Sequence, residues 1–178
     1  GGGAYGGAGI GSVSDGGAGI GGGSEGSADN IKISGGSVKA DTIGCTPTDG
    51  TANATPVYLL ELDVDGTSAV TINGKAYPTK HIDENKLYVY LPAKTAQAPN
   101  EVTVGNETTK YCYINAKWLK VVDSPEADDT EFTYDGTEKT YTFAGSDYYT
   151  ITGNKQTNAG TYTVTVALKD GYIWNDGT

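Results

Sequence analysis

Arginine and methionine are both missing from this 178-residue chain, and histidine occurs once, at His81. All twelve basic residues are lysine, against 22 acidic residues, for a formal net charge of −10. Arginine is the side chain that grips phosphates and base edges in bidentate fashion, and a surface this acidic repels a polyanion. These two shortages set nucleic acid aside as a partner. A single histidine builds no histidine-based zinc site, and there is no G-x-S-x-G elbow to supply a nucleophile beside it. His81, within KHIDENK, reads as a surface residue. No apolar run reaches the ~18 residues of a membrane-spanning segment, so no membrane insertion is expected. Cysteine is nearly absent as well. Cys45 and Cys112 match neither a zinc spacing nor a C-x-x-C motif. They form either a disulfide, which would close a long loop and contribute ~4 kcal/mol, or two separate buried thiols.

What the chain has in quantity is glycine, tyrosine, threonine and valine. Of the 27 glycines, 17 precede residue 45, and the block GGAGIG occurs at 6–11 and again at 16–21. Gly17, Gly19 and Gly22 spell the dinucleotide fingerprint G-x-G-x-x-G. That fingerprint works only between a strand and a helix N-terminus; here glycine and serine precede it, and no helical apolar spacing follows. Ile10, Val13, Ile20, Ile31, Ile33 and Val38 recur among the glycines, which a flexible tether would not show. Two short alternating strands around the Gly35-Gly36 corner suit a solenoid whose coils bury their inward Ile and Val on one another. The pattern GAGIGGG…NIKISGGSVKA resembles the right-handed parallel β-helix repeats of cell-surface proteins of gut Firmicutes. It is also similar to calcium- and polysaccharide-binding β-helices whose repeats carry I-x-I-S-G-G.

Beyond a linker at 45–56, alternation sharpens. Tyr58, Leu60, Leu62 and Val64 share one face; Asn73-Gly74 is a strong hairpin signal; Leu87, Val89 and Leu91 point inward, with Tyr88 and Tyr90 opposite. EVTV at 101–104, a Gly105-Asn106 turn and TTKYCYI at 108–114 form a second hairpin, and WLKVV closes the segment. Residues 57–122 therefore read as a small antiparallel β-sandwich. An acidic linker spans 123–129. In the last segment, 130–178, the stretch YDGTEKTYTF…GNKQTNAGTYTVTVALKDGYIW resembles bacterial immunoglobulin-like repeats of surface proteins. Tyr148, Tyr149 and Trp174 read as core residues of this segment; the resemblance implies a central strand over Asn158–Val166 and a last strand missing after Asp176-Gly177-Thr178. That would leave an edge open to pairing with another copy. The expected architecture is thus all-β: glycine-rich β-helix coils over 1–44, the sandwich, and an incomplete Ig-like module, the whole a piece of a longer protein.

Candidate sites are few. Tyr88 and Tyr90, with Trp118, offer flat rings for stacking on sugars, or else cover a second layer. Asp123, Asp128 and Asp129, among the acids of the second linker, offer oxygens for calcium, the one cofactor contemplated, or are ordinary solvated charge. Lys139 and Lys169 are candidates for an isopeptide cross-link. The repeat segment carries little acid–base inventory beyond Asp15, Glu25, Asp29 and Asp41, so no catalytic residue is named and no enzyme is expected. The composition and resemblances imply a non-catalytic structural or adhesive segment of an extracellular bacterial protein, with glycans or surface proteins of host or bacterium as partners. A carbohydrate-binding region, and then a fragment of a polysaccharide-cleaving β-helix enzyme, are the alternatives.

Overall fold

The computed structural model describes residues 31–39, 43, 45–77, 85–126, 130–142 and 146–178. The repeated glycine blocks, His81, Asp128 and Asp129 lie outside the described residues. Those described form twelve short β-strands and one 3-10 turn, in several open sheets, and no α-helix occurs among them. They divide into two compact units, one up to Lys94 with Asn100–Thr109, the other Thr95–Pro99 with Lys110–Thr178. The division falls at 94–100 and within one strand near 109–110.

The first unit is organised by β1 (Val57–Asp63) and β4 (Lys86–Pro92), which pair antiparallel over seven residues from Val57↔Pro92 to Asp63↔Lys86. The period of two puts Leu60 and Leu62 on one face with Leu87 and Val89, their cross-strand partners. Leu87 and Val89 are fully buried, as the alternation predicts, and burying each such side chain contributes about 1.5–3 kcal/mol. A second sheet joins β2 (Val70–Ile72), β3 (Lys75–Tyr77) and β5 (Asn100–Val104), with β2 between the other two. Its Val70, Ile72 and Val102 are buried too.

The opposite face of the β1–β4 ladder is covered as well. Ile31 and Ile33 pack there against Val57 and Tyr90, with Val38, Ile43 and Cys45 around them. The expected alternation across 31–34 is present: Ile31 and Ile33 are buried, Lys32 and Ser34 exposed. The segment is tied down by backbone bonds. The Ile33 amide donates to the Thr48 carbonyl (2.8 Å), the Thr48 amide to Ile31 (2.9 Å), and the Val38 amide to Tyr88 (2.8 Å). Residues 45–56 are thus built into the unit, with Thr48 bridging Lys32 on one side and Pro56 on the other.

Turn chemistry repeats. Four times the chain reads Asp-Gly-Thr: at 49–51, 65–67, 135–137 and 176–178. Each time an Asp Oδ1 accepts the amide of the threonine two residues on, at 3.0, 2.8, 2.9 and 2.9 Å. The glycine between sits at φ 76, 75, 78 and 93, a left-handed conformation that glycine adopts without steric cost. At three of the four turns the threonine hydroxyl donates to the same oxygen; at Asp65 the Ser68 amide (2.7 Å) and hydroxyl (2.9 Å) add their bonds. These donors favour the ionised carboxylate. Led by the Ser68 and Thr67 amides, they bring Asp65 down to about 2.

The β2–β3 hairpin turns at Asn73-Gly74, φ 51 and 77, the type I′ geometry that Asn-Gly favours. Asn73 does more than turn the chain. Its Nδ2 donates to Oδ1 of Asn100 (2.9 Å), and its own Oδ1 accepts the Glu101 amide (3.0 Å). Asn100 is fully buried, the one buried polar residue among the described residues, and its Nδ2 donates to the Pro92 carbonyl (2.9 Å). This amide chain ties the end of β4 and the start of β5 to the hairpin.

In the second unit, β6 (Glu107–Ile114) enters from Lys110 and pairs antiparallel with β7 (Lys117–Val122), turning at Asn115-Ala116 with φ 51 and 59. The strand β12 (Tyr172–Trp174) lies parallel to β7, with Ile173 opposite Val121. Ala96, Cys112, Val121 and Ile173 form the buried cluster there. Both cysteines are free thiols, Cys112 in this cluster and Cys45 in the first unit's, so of the two readings open for the pair the separate thiols are the state found here. Burial pushes the Cys112 thiol pKa up. Between β7 and β12 lie two small ladders: β8 (Lys139–Thr140) with β10 (Lys155–Gln156), and β9 (Tyr149–Thr152), preceded by the 3-10 turn Ser146–Tyr148, with β11 (Thr165–Leu168). The expected strand over Asn158–Val166 is not formed as such; it starts only at Thr165. Its partner β9 ends at Thr152, just before Gly153 at φ 76, and among the described residues 158–164 belong to no strand. Tyr149 is buried beside Trp174, ring centroids 5.8 Å apart, whereas Tyr148 is exposed against Tyr172.

Two outcomes are expected. Asn100→Ala leaves the Pro92 carbonyl and the Asn73 amide without their partner, and urea unfolding should report a loss of about 1–3 kcal/mol; an unchanged midpoint would contradict the role given to this amide. An Asp held below its unfolded value of ~3.9 contributes stability that is complete above about pH 4 and is lost as pH falls through the folded value near 2. Acid titration of Asp65→Asn should therefore show a shallower loss between about pH 4 and pH 2 than the unaltered chain, and identical curves would refute the assignment.

Candidate functional site

In the second unit, the residues before β8 and those between β10 and β11 form no strand among the described residues, yet they carry aromatic side chains at alternating positions. Phe132, Tyr134 and Tyr162 are 49%, 64% and 43% exposed. With Tyr141, Asn154, Gln156 and Asn158 they line an open cleft of about 750 Å³. Its size lies within the range of ligand pockets.

Local contacts hold the walls. The Tyr162 hydroxyl donates to the Asn158 carbonyl (2.9 Å), folding that stretch back on itself. Gly160 lies beneath the same ring, where an added Cβ would come within 3.2 Å of it. Gly153 meets the opposite stretch even more closely: a Cβ there would stand 2.6 Å from the Thr163 carbonyl oxygen. Asn154 Nδ2 donates to the Tyr141 carbonyl (3.0 Å), and Gln156 Nε2 to that of Gly153 (3.3 Å). At the cleft's edge, Lys139 Nζ binds Asp135 (2.5 Å) and Thr137 Oγ1 (3.2 Å). The ammonium, foremost, and the Thr137 donors hold the Asp135 carboxyl well below the usual range. The lysine charge is thus neutralised locally, and Glu131 is the charge left on the lining. The Asn158 side-chain amide and the Tyr134 hydroxyl have no hydrogen-bond partner among the described residues. The arrangement offers flat apolar ring faces beside uncommitted neutral donors and acceptors, and it suits binding.

The tyrosines singled out in the sequence sit elsewhere. Tyr90 does face away from Leu87, Val89 and Leu91, but it is only 9% exposed, under the Ile31–Ile33 layer. Tyr88 is half-buried, with Lys39 Nζ 5.4 Å from its ring centroid and its amide bonded to Ser37 Oγ (3.1 Å). The second-layer role therefore describes Tyr90, which packs with Val57 under Ile31 and Ile33, while Tyr88 lies nearer the polar end of that face, across from Glu61. Trp118 belongs to the other unit, tilted against its cross-strand partner Tyr113 with centroids 4.9 Å apart. Of the calcium candidates only Asp123 is described; its Oδ1 accepts from Asn175 Nδ2 (2.8 Å). No group of three or more metal-ligating side chains occurs among the described residues. Lys139 is an ion-pair partner, and Lys169 Nζ donates to the Asp147 carbonyl (2.9 Å). No helix among the described residues is long and apolar enough to cross a membrane. Sequence reading missed the cleft, although Phe132 and Tyr134 carried a period-two signal, because periodicity does not say whether a stretch finds a partner.

No protein-family model, curated protein or solved structure matches this chain significantly.

Gly153→Ala tests the cleft's construction. Both the left-handed backbone, costing about 1–2 kcal/mol for a non-glycine residue, and the collision with the Thr163 carbonyl oppose it. Thermal melting should shift down by more than for Gly136→Ala, where no atom lies within 4 Å of the added Cβ; equal shifts would show that the close approach is unimportant.

Proposed function

We propose that this chain is a non-catalytic, adhesive and structural segment of a bacterial secreted or cell-surface protein, and that its contact surface is the aromatic cleft of the second unit. One observation carries the reading: of the five exposed large apolar side chains among the described residues, Phe132, Tyr134 and Tyr162 stand together around one open cleft, the other two being Leu59 and Tyr148. Grouped exposed apolar surface of this kind marks interaction sites in water-facing proteins. The acidic charge favours solubility. The sequence resemblance of 130–178 to bacterial Ig-like repeats, and of the glycine-rich sequence over 1–44 to surface β-helix repeats, supports an extracellular setting by analogy. In this architecture the first unit is the spacer, and its turns, closed by aspartate and asparagine side chains, suit a module that works without a partner domain to shield it.

The test is adhesion. Chain immobilised on beads should retain intact bacterial cell walls or mucin-coated particles above background, with retention falling roughly tenfold in the Phe132→Ser/Tyr134→Ala double variant, in line with the loss of two aromatic contacts. Background-level retention by the unaltered chain, or full retention by a folded double variant, would dismiss the reading.

A further inference from the structure

The cleft's lining says more than that something binds. A peptide strand added to a sheet is held mainly by main-chain hydrogen bonds along a continuous edge, and neither 130–134 nor 157–164 is a strand. A phosphorylated or uronate-bearing ligand needs a free cation, and Lys139, the lysine on the lining, is already bound to Asp135, while Glu131 adds negative charge. What the lining does present is ring faces and neutral side-chain amides. A pyranose has an apolar face of C–H groups that lies on an aromatic ring and a rim of hydroxyls that both donate and accept. Tyr134 and Phe132 supply the first requirement, and Asn158, whose amide has no partner among the described residues, supplies the second with a donor and an acceptor on one planar group.

We propose that the cleft bounded by Phe132, Tyr134, Asn158 and Tyr162 binds a short stretch of an uncharged polysaccharide chain. This rests on the adhesive reading above and names its ligand class. Tyr134 acts as the stacking platform, being the most exposed of the rings. Asn158 acts as the orienting group, and its backbone is fixed because its carbonyl holds the Tyr162 hydroxyl. The open form of the cleft suits binding within a long chain rather than capture of a chain end.

Affinity electrophoresis through gels containing soluble β-glucan, galactomannan or pectate tests this directly. The unaltered chain should be retarded by at least one of the two neutral polymers and not by pectate. Tyr134→Ala should abolish retardation and Asn158→Ala should weaken it roughly tenfold. Both positions are exposed, so unchanged circular dichroism and melting will confirm that the variants are folded. Free migration in both neutral gels, equal retardation by pectate, or folded variants that migrate like the unaltered chain would each overturn the proposal. A parallel adhesion assay separates its failure from that of the adhesive reading. Periodate, which cleaves the vicinal diols of sugars, should abolish retention of treated cell walls. Retention that survives periodate but is lost after protease treatment of the wall would overturn the polysaccharide and leave adhesion standing, with a protein as the partner.

Discussion

The β1–β4 strand pair needs a cover over one whole face and over the Val57–Tyr90 end of the other, whose far end is kept polar by Glu61, Asp63 and Lys86, and much of the first unit follows from that requirement. Leu60, Leu62, Leu87 and Val89 demand one cover, Val57 and Tyr90 another. The 31–39 segment provides the second, pinned by the Ile33–Thr48 and Val38–Tyr88 backbone bonds. Once that layer is in place Tyr90 is core, and Tyr88 stays half-buried with Lys39 Nζ 5.4 Å from its ring centroid. Residues 45–56 are drawn in for the same reason, since Thr48 is the rung between Lys32 and Pro56.

Polar side chains complete what the apolar ones begin. The Asp-Gly-Thr turns convert backbone amides that would otherwise point to solvent into short local bonds, and the same bonds lower the carboxylate pKa values. The Asn73–Asn100 pair is different in kind, because it is buried. It satisfies a strand-end carbonyl and a hairpin at once, and no buried side-chain polar atom among the described residues is left without a partner. The turn at Asn115-Ala116 has the same backbone shape as Asn73-Gly74 but places alanine at φ 59, a conformation disfavoured for a residue with a Cβ.

The second unit is less closed. Its buried cluster of Ala96, Cys112, Val121 and Ile173 gathers around β6, β7 and β12, while the stretches flanking the two small ladders between β7 and β12 carry exposed aromatics. Gly153 ends β9 early, the facing stretch stays unpaired, and a cleft results where an alternating pattern alone would suggest one more strand. The proposed contact surface is that gap.

Local chemistry was readable in the residues themselves. The all-β class, the inward set Leu60, Leu62, Leu87, Val89 and Leu91, the Asn73-Gly74 hairpin and the Ile31/Ile33 alternation all depend on the period of two and on turn propensity, which act over a few residues. Pairing partners were not readable, because they depend on which surfaces remain to be covered once the nearest contacts have formed. Only the tertiary structure decided that Val121 pairs in parallel with Ile173 across the acidic stretch, that Tyr90 is roofed over, and that Asn100 faces inward with its amide satisfied. It also left Phe132, Tyr134 and Tyr162 exposed together around the cleft. Exposure is what remains after every other surface has been matched, and no local pattern encodes it.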